Sequence, residues 1–333
     1  MARGVLCAAG MLPRPVFAGE TVMITRRCTQ RQFLLRPDPE ANQIYLYTLG
    51  LAVQESEVEL IHATAMSNHH HVLAHDREAT RVDFYRHHHQ LCARALNCAR
   101  GRFENFWDSE QTSVVRLVTV EDLIEKVVYA ATNPVAAGLV ARTDQWPGVD
   151  TIKALLDKEP VVVERPRRFF TEDMPESVTL HFRIPPEYGD EDEVLARIRA
   201  RVAEVEAARA AERAKTGAGV VGRHAIRKQS WQDRPKTHEP RFGISPQVAC
   251  RDKWKRIEAL TRNRFFLEAY AAARALWLAG KETLFPPGTY WLARFAFVPV
   301  AEPPKMYPFT GRSPDLPAGR GSTARSDRDL TNG

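Results

Sequence analysis

Val58-Glu59-Leu60-Ile61-His62-Ala63-Thr64-Ala65-Met66-Ser67-Asn68-His69-His70-His71-Val72-Leu73-Ala74 is the stretch on which the fold turns. Its first nine residues are rich in β-branched and apolar side chains and read as a strand. Ser67-Asn68 reads as a tight turn, and His69 to Ala74 as a third strand paired with it. Side chains alternate faces along a strand, so His69 and His71 project from one side and His70 from the other.

Working outward, Val22-Met23-Ile24 after Glu20-Thr21 reads as a first strand, and Arg26 to Arg31 as a polar loop. Asp38 and Pro39 open a helix through Ile44, Leu46, Tyr47, Leu49, Leu51 and Val53. Downstream of the hairpin, Thr80 to Arg100 reads as a helix ended by Gly101, Val114 to Val118 as a fourth short strand, and Val120 to Ala131 as a helix stopped by Asn133-Pro134. The order strand, helix, strand, strand, helix, strand, helix is the ferredoxin-like (RRM-like) arrangement with one extra helix. The expected class is α+β, an antiparallel sheet with helices on one face, followed by a mainly helical and partly disordered C-terminal region.

After Trp146-Pro147-Gly148, prolines 160, 166, 175, 185 and 186 punctuate a linker-like region, 151–190, with one strand at Ser177 to Arg183. Residues 191–300 read as a basic, mainly helical accessory region. Glu191 to Lys215 has Val194, Ile198, Val202 and Val205 at helical spacing, and Lys253 to Leu278 is a second helix with an aromatic face, ended by Gly280. Phe285 to Trp291 reads as an aromatic strand-like segment. From Ala301 onward Pro, Gly, Ser, Arg and Asp dominate, and 301–333 reads as a disordered tail.

The chain has 333 residues, enough for about two domains, and a formal net charge of +6. Acidic side chains slightly outnumber basic ones in residues 1–150, so the positive charge lies in the second half, densest over 205–264. Trp231, Phe242, Trp254, Phe265 and Phe266 interleave it there. Cations and aromatic rings together suit a phosphate backbone and unpaired bases, and equally an Arg-rich solvated helix face. No apolar run reaches the roughly 18 residues of a membrane span, and the run Val5 to Leu12 is cut short by Pro13. Five cysteines without a C-x-x-C pair suit a reducing compartment, and a cytoplasmic, nucleoid-associated protein is the expectation.

Two segments of the first domain carry chemistry. The imidazoles of His69 and His71 could share a divalent ion, or they could be satisfied histidines at a polar strand end. Tyr129 and Asn133 are four residues apart at a helix end, so a phenol and an amide share one face; alternatively Tyr129 is a core aromatic and Asn133 a helix terminator. A phenol is a poor nucleophile at neutral pH and needs an electrophile polarised by a metal, or help in losing its proton. The histidine pair can supply that metal. Arg26, Arg27, Arg31 and Arg36 could contact phosphates or form a solvated loop. His87-His88-His89 reads as a solvated or DNA-facing helix surface, and Cys92 and Cys98 as small buried residues of that helix.

Met66-Ser67-Asn68-His69-His70-His71-Val72-Leu73 resembles the M-P-N-H-x-H-hydrophobic signature of the HUH endonuclease superfamily, in particular its single-tyrosine transposases of the REP-associated type. Tyr129 to Val140 is similar to that family's Y-I-x-x-N-P-V-x-A-G-L-V block, and Gly101 to Trp107 sits where the family has G-x-x-W-x-x-R-F. The resemblance covers about residues 15–150 and identifies 1–150 as the nuclease domain. It implies that His69, His71 and Asn133 bind Mg²⁺ or Mn²⁺ and that Tyr129 attacks a backbone phosphate of single-stranded or hairpin DNA. A 5′-phosphotyrosine and a free 3′ hydroxyl would result, in a monomer or a homodimer. The sequence departs from the pattern at His70, where the family has a bulky apolar residue, at Ser67, where it has proline, and after Trp107, where the Arg-Phe pair is missing.

Overall fold

The computed structural model describes residues 13–237 and 246–302. The apolar run Val5 to Leu12 and the tail from residue 303 on therefore lie outside the described residues. The chain divides into two compact units, one spanning Arg14–Phe265 and a second that includes everything from Phe266 on.

In the first unit the elements follow the expected order: β1 (Glu20–Arg27), α1 (Pro39–Gln54), β2 (Val58–Ala65), β3 (His69–Asp76), α2 (Arg81–Ala99), β4 (Ser113–Leu117) and α3 (Val120–Ala131). The sheet order β2-β3-β1-β4, with all three pairings antiparallel, is that of the ferredoxin-like fold. Asp38 starts α1 by accepting the Ala41 N–H on its side chain at 2.7 Å, with Pro39 in the first turn where no N–H is required. The helix pair expected on one face is α1 and α2, which pack on the His70 side. The additional helix α3 covers the opposite side, that of His69 and His71.

Three features differ from the sequence reading. The sheet is mixed, because Val248–Ala249 (β7, numbered after the elements below) pairs parallel with β4 as a fifth strand. A two-residue strand has no periodicity to read. The chain also adds a helix not read from the sequence: α3 stops at Ala131 as expected, and after a break at Thr132 α4 (Asn133–Ala136) begins with Pro134 in its first turn. Finally, residues 151–190 are packed structure rather than a linker. They form α5 (Ile152–Asp157) and a hairpin of β5 (Val161–Glu164) and β6 (Ser177–Leu180), and they bury Leu155, Val163, Phe170, Val178 and Leu180 in the main core. The prolines shape its turns. Beyond them come α6 (Glu191–Thr216) and α7 (Arg223–Lys228), then β7 and the start of α8 (Lys253–Leu278). Buried Val194, Leu195, Ile198 and Val202 form the packed stripe of α6.

The second unit, over 266–302, has its own small core of Phe266, Tyr270, Ala273, Phe285, Leu292 and Val298. Left-handed Gly280 (φ 74°) follows α8 and donates its N–H to Trp277 O at 3.0 Å. The expected strand-like segment contributes only a bridge between Phe285 and Val300, and Trp291 begins α9 (Trp291–Ala296). No helix among the described residues is long and apolar enough to cross a membrane.

Beside β2, residues 149–151 run as an extra edge: Ala65 N–H donates to Val149 O, Thr151 N–H to Ala63 O, and Thr64 bridges Asp150. His62 is held there between Thr64 Oγ1 (2.7 Å) and Thr151 Oγ1 (3.1 Å), with Asp150 Oδ1 at 3.7 Å. Burial lowers the His62 pKa to about 3 and raises that of Asp150 to about 8, so the two groups stand as a neutral pair. An unfolded Asp titrates near 3.9 and an unfolded His near 6.5. Between those values His62 and Asp150 impose opposite slopes on stability. From about pH 6.5 to 8 only Asp150 acts: the unfolded chain has released its proton and the folded chain retains it, so stability falls as pH rises. The expected result is that Asp150→Asn flattens that decline in chemical unfolding measured at several pH values; an unchanged slope would refute a neutral buried carboxyl.

Gly50 marks the close approach of α1 to β6. A Cβ at this position would stand 2.5 Å from Val178 Cγ2 and 2.7 Å from Val178 Cβ, a contact that a stiff β-branched side chain cannot yield cheaply. Overpacking costs about 1–3 kcal/mol and outweighs the helix-propensity gain of about 1 kcal/mol. Gly50→Ala is therefore expected to lower the denaturant midpoint, whereas a raised midpoint would mean that the hairpin does not pack on α1.

Candidate active site

Residues from β1, β3, α3 and α4 meet on the α3 side of the sheet. The register pairs Thr25 with His71 and Arg27 with His69, so all four side chains share one face. Thr25 Oγ1 lies 2.8 Å from His71 Nδ1, and Asn133 Nδ2 lies 3.2 Å from His71 Nε2. The His69 and His71 rings are 5.0 Å apart between centroids and nearly perpendicular, and the Tyr129 ring is 5.4 Å from that of His71. The structure thus brings His69, His71, Asn133 and Tyr129 together.

Local sequence explains how α3 delivers its two residues. Thr119 and Asp122 form a reciprocal capping box, Thr119 Oγ1 accepting the Asp122 N–H and Asp122 Oδ2 the Thr119 N–H. Leu123, Val127, Ala130 and Ala131 bury the opposite stripe. Fixed at its start and along its inner face, the helix presents Tyr129 at 50% exposure, accessible to a large substrate. Thr132 Oγ1 donates to Val128 O at 2.7 Å where α3 gives way to α4, and Asn133 follows directly.

The hydrogen bonds also fix proton positions. Asn68 Oδ1 can only accept, so His69 Nδ1, 2.8 Å away, carries a hydrogen and donates it. His71 Nε2 accepts from the Asn133 amide, so its Nδ1 donates to Thr25 Oγ1. Burial, chiefly, with the Lys126 and Arg27 cations adding to it, holds the His71 pKa well below the usual histidine value and keeps that ring neutral. A neutral imidazole oriented through its second nitrogen is the form in which histidine ligates metals.

No group of three His, Cys, Asp or Glu residues among the described residues could hold a metal ion. Here the third donor is an amide: rotating the Asn133 side chain places Oδ1 where Nδ2 stands. Two imidazoles and a carbonyl oxygen, with water completing the shell, fit a divalent ion of intermediate hardness such as Mn²⁺ better than Mg²⁺, which favours all-oxygen shells.

The arginines expected to contact DNA separate. Arg27 ends β1 exposed on the candidate face. Arg26 points to the other side, where its guanidinium lies 5.9 Å from the Trp107 ring and 3.3 Å from His89 Nδ1; it belongs to β1 and not to an open loop. Arg31 and Arg36 donate to backbone carbonyls of Thr237 and Gln229. Glu20 stands at the far end of β1, held by Arg81, Arg116 and Arg262, and takes no part in the site. Sequence reasoning missed Thr25, whose role appears only from the cross-strand register, and Lys126, whose Nζ is 5.4 Å from the Tyr129 ring. Lys126 precedes Tyr129 by three on α3, a spacing that was available as a signal.

His70, on the other face of β3, is a buried ring with a partner at each nitrogen. Its Nδ1 is 2.7 Å from the Tyr45 hydroxyl and its Nε2 2.9 Å from His89 Nε2. His88 and His89 are buried with it, which corrects the expectation of a solvated histidine surface on α2. Cys98, unlike Cys92, is exposed. Trp107 closes the cluster by donating Nε1–H to His89 O at 2.8 Å.

No family model matches the chain, and no curated protein matches it. Among solved structures it is similar to a REP-associated tyrosine transposase bound to a REP hairpin, at 18% sequence identity over 50% of this chain and 91% of that one, with a TM-score of 0.38. At that score the likeness assigns no activity, substrate or partner to this chain.

Proposed function

We propose that the protein is a metal-dependent, single-tyrosine endonuclease or transposase that cuts and rejoins single-stranded DNA, with hairpin-forming repeats as its target. The observation that carries this reading is the convergence of Tyr129 with His69, His71 and Asn133 on one sheet face, each histidine turned by a hydrogen bond at its Nδ1. The motif resemblance of Met66 to Leu73 and of Tyr129 to Val140 supports it independently of geometry.

In this mechanism His69, His71 and Asn133 would hold Mn²⁺ or Mg²⁺. Once bound, the ion supplies charge that polarises and orients the scissile phosphate. The exposed Tyr129 hydroxyl attacks phosphorus; a bond from Oη to phosphorus forms as the bond to the 3′ oxygen breaks. The phenolic proton is lost and the leaving 3′ oxygen is protonated, giving a 5′-phosphotyrosine and a 3′ hydroxyl. The covalent link preserves the energy of the phosphodiester, so the same or another 3′ hydroxyl can reverse the step without a nucleotide cofactor. Arg27, exposed beside His69, is placed to meet a flanking phosphate. Thr25 acts through His71 by fixing its tautomer.

Incubation with Mn²⁺ and labelled hairpin oligonucleotides, followed by denaturing electrophoresis, tests the reading. A covalent protein–DNA adduct is expected with the natural sequence, absent in EDTA and in Tyr129→Phe, while Tyr129→Phe still binds the oligonucleotide. Binding with no adduct under any metal would sink the enzyme reading and leave a non-catalytic nucleic-acid-binding regulator in its place.

A further inference from the structure

A second feature lies near the turn that carries Asn68. The loop after β1 leans on this turn: Cys28 N–H donates to Asn68 O at 2.8 Å and Leu35 N–H to Ser67 O at 2.9 Å. Across that loop runs the irregular segment 229–237, which follows α7 and turns at residues 230–233. Arg31 Nη1 donates to Thr237 O at 2.7 Å, Arg36 Nη1 to Gln229 O at 2.9 Å, and Phe33 N–H to Asp233 O at 2.8 Å. The Trp231 ring is approached by two more guanidinium groups, Arg100 at 6.0 Å and Arg102 at 5.8 Å. One short segment therefore engages four arginines, two through carbonyl oxygens and two through an aromatic face.

The arrangement leaves a charge poorly satisfied. Among the described residues, both terminal nitrogens of Arg100 are buried without a hydrogen-bond partner. Burial pulls the pKa of this guanidinium down to about 10, with Asp38 the main compensating charge. A buried guanidinium that no protein acceptor reaches is a costly way to cover a protein surface, and an anionic ligand would offset that cost. The substitutes present have the right chemistry for a nucleic-acid mimic. Carbonyl oxygens accept from arginine as phosphate oxygens do, and an indole between guanidinium groups presents the flat π surface that a base would.

We propose that Arg31, Arg36, Arg100 and Arg102 form a docking surface for single-stranded DNA, and that residues 229–237 occupy it in place of the DNA as a displaceable strap. Phosphates would take the positions of the Gln229 and Thr237 carbonyls, an unpaired base that of the Trp231 indole, and Arg100 would gain its acceptors from the strand. The surface adjoins the Asn68 turn, so a strand lying along it leads toward His69. The inference shares with the proposed function only its partner, DNA, and stands or falls separately from the chemistry at Tyr129.

The test compares binding of labelled oligothymidylate by the full chain with natural sequence and by Trp231→Ala, at several salt concentrations without added metal. Release of the strap is expected to tighten binding by about ten-fold, the scale of one base–aromatic stack, and to steepen the salt dependence as arginines take up phosphates. Adding Arg100→Gln and Arg102→Gln to Trp231→Ala is expected to abolish the gain. Unchanged or weaker binding by Trp231→Ala would overturn the proposal, because Trp231 would then be a structural cover or itself the DNA contact. Should Trp231→Ala not fold, amide exchange on the natural chain decides: saturating oligothymidylate should deprotect the Phe33 amide now held by Asp233, and continued protection would refute displacement. Adduct formation at Tyr129 is scored separately, so loss of either result does not masquerade as loss of the other.

Discussion

Side chains on a strand must alternate, and three consecutive histidines on β3 therefore answer to two different environments. His69 and His71 face α3, where they meet Tyr129 and Asn133 at a half-exposed site. His70 faces α1 and α2, where any polar ring must find partners or destabilise the core. Much of the local architecture follows from that split. Thr25 and Arg27 are opposite His71 and His69 because β1 is antiparallel to β3 in this register. A slip by one residue would carry the His69 and His71 rings into the core.

The elements of the first 131 residues were legible because their signals are local. Apolar periodicity, the Asp38-Pro39 start and the Ser67-Asn68 turn each act within a few residues, and they specify the same order that the backbone adopts. The convergence of Tyr129 on His71 was legible through the paired motifs and not through either helix or strand alone. What stayed hidden was decided at long range. The contrast between Arg26 and Arg27 depends on which face each occupies, and neither composition nor charge distinguishes them. Prolines over 151–190 suggested a linker because proline interrupts regular hydrogen bonding. The apolar residues between them, Val163, Phe170, Val178 and Leu180, nevertheless bury against the main core.

Charge in the second half shows the same limit. A basic composition suited nucleic acid and an Arg-rich solvated helix face equally, yet part of the charge is consumed internally. Arg197 pairs with Glu121, and Arg201 and Arg251 with Glu125, so that α6 and the segment after β7 neutralise the acidic side of α3. Asp122 joins them, its Oδ1 accepting the Arg251 N–H while its Oδ2 completes the cap of α3. The later sequence thus braces the helix that presents Tyr129. The accessory region contributes to the site by holding that helix, whatever else it binds.

The buried chain beneath the sheet has a direction. Arg26 can only donate, so His89 receives at Nδ1 and passes its Nε2 hydrogen to His70, which in turn donates from Nδ1 to the Tyr45 hydroxyl. The ring nitrogens of His70 and His89 are satisfied only while their neighbours keep their identity, and replacing one leaves a buried polar atom stranded at a cost of about 1–3 kcal/mol. In evolutionary terms such a set is entrenched: a change at His70 or His89 alone strands the other ring, so an apolar strand centre is reached only through paired changes.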